Sequence, residues 1–72
     1  MKNPQYIIKN LDKDNIIKWD NKKILFDSQE EAEEYVEILK GCFQIIKGVF
    51  LGDFINYKTL KERKDFKDWL NK

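Results

Sequence analysis

The sequence predicts an α+β fold: a small antiparallel sheet, made of a hairpin over 6–19 and strands near 24–26 and 43–47, with helices near 28–40 and 59–70. Three observations carry that expectation. Short β-branched or aromatic runs alternate with clusters of Asn and Asp, a capped amphipathic stretch fills the middle, and a charge-rich helical pattern closes the chain. With 72 residues there is room for one small domain, 1–72, near the lower limit for a single unstapled core. Two Trp, three Tyr and five Phe supply the bulk that such a core needs.

YIIK at 6–9 and IIKW at 16–19 flank NLDKDN, whose Asn and Asp favour a turn, so the pair reads as a β-hairpin. Alternation places Tyr6 and Ile8 on one face with Ile17 and Trp19, and turns Lys9 and Lys18 outward. Asp20-Asn21 makes a second turn before the third apolar run, Ile24-Leu25-Phe26.

Ser28 then opens a helix as N-cap, with Glu31 at capping-box spacing and acids in the first turn where the macrodipole favours them. Ala32, Tyr35, Val36 and Leu39 recur at helical spacing and form the buried stripe, which Ile38 widens. Lys40 and Gly41 supply a stop, with Gly41 suited to a left-handed cap. Positions 42, 45, 46 and 49 would also continue the helical stripe, but the stop, the β-branched content and Gly48 favour a strand near 43–47 and an irregular connection through Gly48 and Gly52. Thr59, with Glu62 three positions on, opens the last helix, whose buried candidates are Leu60, Phe66, Trp69 and Leu70.

Composition excludes several chemistries. The chain has no His and a single Cys, Cys42, which reads as a small core residue; no Cys/His or Ser/His pair and no zinc set can be assembled. Asp12-Lys13-Asp14 begins like a calcium loop, yet the required Gly is Ile17 and the required bidentate Glu is Lys23. The expectation is therefore no metal, no cofactor and no enzyme. The lone Cys fits a reducing compartment, MKNPQYIIKN lacks the apolar stretch of a signal peptide, and no segment is long and apolar enough for a membrane span.

Net charge is +1, but it is ordered basic, acidic, basic: six Lys against three Asp in 1–26, six acids against Lys40 in 27–40, and six cations against three acids in 57–72. Lys9, Lys18, Lys22 and Lys23, with Lys2, lie near Trp19 in sequence, a combination able to track a nucleic-acid backbone and stack a base. The C-terminal cations are offset by Lys58–Glu62, Lys61–Asp65 and Lys64–Asp68 at i, i+4. Glu30, Glu33, Glu34 and Glu37 line the helix opposite its apolar stripe, where like charges cost about 0.2–0.5 kcal/mol per pair.

Phe26, Ser28, Glu30, Glu31 and Ala32, following two short strands with a Trp and preceding FQIIK, carry a resemblance to small proteins of bacteriophages and mobile elements of low-GC bacteria. That resemblance implies an accessory protein of the bacterial cytoplasm, of a kind that includes anti-CRISPR inhibitors of host nucleases. It supplies no catalytic residue, and it does not extend over the last twenty positions. The leading functional expectation is thus an inhibitor of a host defence nuclease that contacts its protein partner through Glu30, Glu33, Glu34 and Glu37. The alternatives are a small nucleic-acid-binding module using Lys9, Lys18, Trp19, Lys22 and Lys23, and a self-associating domain with Phe50, Phe54, Ile55 and Tyr57 as its contact surface.

Overall fold

In the computed structural model, which describes residues 4–71, the chain is α+β. Strands β1 (Gln5–Asn10), β2 (Asn15–Ile16), β3 (Lys18–Trp19) and β4 (Lys22–Leu25) precede helix α1 (Gln29–Leu39). Strands β5 (Phe43–Gly48) and β6 (Phe54–Asn56) lead into helices α2 (Tyr57–Glu62) and α3 (Lys64–Leu70).

The strands form two three-stranded sheets, β2-β1-β5 and β3-β4-β6, where one antiparallel sheet is expected; the β4–β6 pair is parallel. Ile17 makes the division. Its N–H donates to the Ile8 carbonyl at 2.9 Å while its own carbonyl accepts from the Ile24 N–H at 3.2 Å, so the returning arm of the hairpin leaves β1 and joins β4. Reciprocal Tyr6–Phe26 backbone bonds of 2.9 and 2.8 Å tie the two sheets together.

Both turns follow from their residues. The Asn10 side-chain oxygen accepts from the N–H groups of Asp12 and Lys13, and Asp14, at φ 54°, closes the first turn with a 2.9 Å ion pair to Lys9. Asp20 and Asn21 have φ 53° and 64°, the two positive values that a tight, twist-matched hairpin turn demands. These residue types tolerate that conformation best after glycine.

In α1 the Ser28 Oγ accepts from the Glu31 N–H at 3.3 Å, as the capping box requires, and the Glu31 carboxylate reaches one residue further back, to the Asp27 N–H at 3.1 Å. Ala32 and Tyr35 are buried and Val36 and Leu39 pack against the core, whereas Ile38 is 41% exposed and does not widen the stripe. The positive φ at the helix end, 52°, belongs to Lys40 rather than Gly41. Gly41 serves a different need: a Cβ there would stand 2.9 Å from the Phe43 ring, which leans on the core. Cys42 is exposed, because the turn into β5 faces solvent; it is not a core residue.

The C-terminal segment corrects the expectation of one helix opened by Thr59. Asn56 is the cap, its side-chain oxygen accepting from the Lys58 N–H at 2.9 Å, and the helix breaks at Arg63, whose ψ is 136°. On a continuous helix at about 100° per residue, Tyr57 and Phe66 would lie on opposite sides. Both are completely buried, with ring centroids 6.3 Å apart, so the chain must turn between them. Tyr57, Leu60 and Phe66 complete a core with Ile8, Ile24, Phe26, Ala32, Tyr35 and Ile55.

Candidate functional site

Helix α1 packs against β1 and β5. Its buried stripe faces the core, leaving Glu30, Glu33, Glu34 and Glu37 exposed together, as their spacing predicts. Two of the four have neighbours that soften their charge. Glu33 accepts from the Gln29 side-chain amide at 3.1 Å, and Glu34 lies 3.7 Å from the Lys61 ammonium, which also sits 5.0 Å from the Tyr57 ring. Glu30 and Glu37 have no side-chain hydrogen bond or ion pair among the described residues. With the Lys61 pair partly exposed, its contribution stays at or below about 1 kcal/mol.

That contact also revises the C-terminal charge pattern. The helix break separates Lys61 from Asp65: Lys61 turns to Glu34, and Asp65 takes a two-pronged contact from Arg63 at 3.2 Å. Neither Lys58–Glu62 nor Lys64–Asp68 closes to an ion pair among the described residues.

The five members of the nucleic-acid set do not come together as one patch. Lys9 is on the first sheet, held by Asp14. Trp19 stands opposite Lys22 in the β3–β4 pair, and its ring packs edge-on to Phe66 and Trp69 at 5.1 and 5.5 Å, which anchors it to α3 instead of offering a free face. Lys18 stands directly opposite Lys23, and Lys23 opposite Phe54. Because Ile24 and Ile55 are buried in the core, the alternate positions Lys23 and Phe54, with Lys18, lie on the outer face of that sheet.

There the β3–β4 turn and the 51–53 segment border an open recess of about 220 Å³, lined by Lys18, Asn21 and Lys23 together with Asp53 and Phe54. The Lys23 ammonium is 6.0 Å from the Phe54 ring centroid. Phe54 is the residue that the sequence set missed: its place beside Lys23 depends on the parallel pairing of β6, between residues some thirty positions apart. Of the proposed self-association surface, Ile55 and Tyr57 are in the core, and Phe50 and Phe54 are half-buried against each other at 6.2 Å.

Two tyrosines mark the interior beneath α1. Burial pushes the Tyr35 hydroxyl up to about 12. Burial, followed by the negative field of Glu34, raises Tyr57 to about 12 as well, and the Tyr57 hydroxyl has no hydrogen-bond partner among the described residues. No group of three or more His, Cys, Asp or Glu among the described residues is placed to hold a metal ion, and no helix there is long and apolar enough to cross a membrane. Comparisons with protein-family models, with curated proteins and with solved structures return no match.

Proposed function

We propose that the chain is a non-enzymatic interaction protein whose α1 carboxylates dock in a basic groove of a nucleic-acid-handling protein, acting as a stoichiometric blocker. The observation that carries this reading is the shared exposure of Glu30, Glu33, Glu34 and Glu37 on one side of a helix whose other side is committed to the core. At 1.5 Å rise per residue the four span roughly 10 Å, a mean spacing of about 3.5 Å along the axis. One nucleic-acid strand carries a phosphate about every 3.4 Å, so the carboxylates follow a backbone's axial spacing, with the Lys61–Glu34 pair offsetting part of one charge. The cap and the buried stripe use other residues, and repulsion between these four weakens the helix slightly. Complementary charge of this kind speeds association and fixes register. The resemblance to phage and mobile-element proteins adds the class of partner, a host defence nuclease.

The test uses wild-type protein and a Glu30→Gln, Glu33→Gln, Glu34→Gln, Glu37→Gln variant as parallel baits in lysate of a low-GC bacterium. Captured proteins are identified, purified and titrated against both baits at several salt concentrations. The reading predicts a nucleic-acid-handling partner that the variant binds at least ten-fold more weakly at low salt. Equal affinity for both baits removes the acidic face as the contact.

A further inference from the structure

On the outer face of the β3–β4–β6 sheet, away from the α1 carboxylates, two lysines are paired in a way that folding alone disfavours. Lys18 and Lys23 are direct cross-strand partners, an arrangement in which like charges repel. Both are exposed, and neither has an ion-pair partner among the described residues. Beside them, Phe54 continues the same row on β6. From this row we infer a binding site for single-stranded nucleic acid, in which Lys18 and Lys23 hold successive phosphates and an unstacked base takes the place of the Lys23 ammonium, now 6.0 Å from the Phe54 ring centroid, against the exposed part of that ring.

Three features bear on the ligand, and the second of them favours a strand. First, the recess of about 220 Å³ is smaller than the roughly 300–1,000 Å³ that encloses a drug-sized molecule, so it has room for about one nucleotide unit and a longer strand gains contacts beyond it. Second, an aromatic side chain on a sheet face stacks only on bases that are not already stacked in a duplex, which favours a single strand. Third, the Asn21 amide, carried on the tight β3–β4 turn, offers both a donor and an acceptor at the rim.

The site is braced from its far side. The Phe50 ring lies where a Cβ on Gly48 would stand 3.2 Å from it, and Phe50 in turn packs against Phe54. Gly52, at φ +123°, gives the connection a conformation that other residues rarely adopt. Asp53 opposes the ligand: with it the recess carries two positive charges against one negative, so binding is modest and strongly salt-dependent.

Fluorescence anisotropy with a labelled oligothymidylate tests the site, with its duplex form, thymidine monophosphate and polyglutamate as competitors. Each lost phosphate contact lowers the slope of log K against log salt by about 0.7, so Lys18→Gln plus Lys23→Gln should reduce it by roughly 1.4. That variant should fold as well as wild type, since it removes a repulsion between exposed groups. Phe54→Leu should weaken single-strand binding by about ten-fold, and Asp53→Asn should strengthen it. The Gln variant of the α1 face should bind the oligonucleotide undiminished, which separates this site from the proposed docking surface. An unchanged slope in the double lysine variant overturns the site, as does equally strong competition by duplex, mononucleotide or polyglutamate.

Discussion

The Trp19 ring stands edge-on to Phe66, with centroids 5.1 Å apart and planes at 82°. This contact joins a two-residue strand to α3, two elements too short to persist alone, and it lies beside a Phe66–Trp69 pair at 5.7 Å. At about 0.05–0.15 kcal/mol per residue, a 72-residue domain has roughly 4–11 kcal/mol of stability. Phe66→Ala should remove about 3–5 kcal/mol of it, because the ring is completely buried. Urea unfolding should therefore show the unfolding free energy in water lowered by that amount, which leaves no folded baseline if the wild type lies at the low end of the range. A loss below 1 kcal/mol would mean that α3 is not docked as described.

Asn56 and Thr59 give opposite expectations. Asn56 caps α2 and donates from its amide to Asp27 at 2.9 Å, linking the helix start to the approach of α1. Asn56→Ala should cost about 1 kcal/mol, with the Asp27 bond adding to that. Thr59 is exposed inside α2. Thr59→Ala should be neutral or stabilising by a few tenths of a kcal/mol. Thermal melts of the two variants decide which residue opens the helix.

The Tyr57 hydroxyl is buried without a partner among the described residues, a position that costs about 1–3 kcal/mol. Tyr57→Phe should keep the ring packing against Phe26 and Tyr35 while removing that cost. Its melting temperature should rise by about 4–8 °C for each kcal/mol recovered in a domain of this size. A lower melting temperature would show that the hydroxyl has a partner.

Alkaline pH should unfold the protein through Tyr35 and Tyr57. Unfolded tyrosine ionises near 10, and both residues hold their protons to about 12 in the fold. The folded state thus binds more protons between these values, so its stability is intact below pH 10 and falls as pH rises toward 12. At about 1.4 kcal/mol per unit, two groups shifted by about two units remove on the order of 5 kcal/mol. Circular dichroism and tyrosinate absorbance should change together over this range. Ionisation of both residues near pH 10 in an intact fold would contradict their burial.

Local chemistry made much of this fold legible. Ser28 and Glu31 announce α1, Asp20-Asn21 announces a turn, and the strand near 43–47 follows from the stop at Lys40-Gly41. What stayed hidden depends on partners distant in sequence. Phe54-Ile55-Asn56 is a strand only because β4 is there to pair with it, and the break at Arg63 exists because Tyr57 and Phe66 share one core. The same limit applied to the sites. The exposed side of α1 follows from its period and the split of Trp19 from Lys18 from alternation along the strand, whereas the row that joins Lys18, Lys23 and Phe54 needed the strand register.

If the α1 carboxylates stand in for phosphates, the protein and nucleic acid compete for one groove of the partner. In the competition experiment the purified partner is saturated with a labelled nucleic acid that it binds, and wild-type protein or the four-Gln variant is titrated in. Wild type should displace the label at a one-to-one ratio with partner, with the effect fading as salt rises, and the variant should displace little. Displacement by both proteins alike, or a ternary complex that retains the label, would contradict the claim.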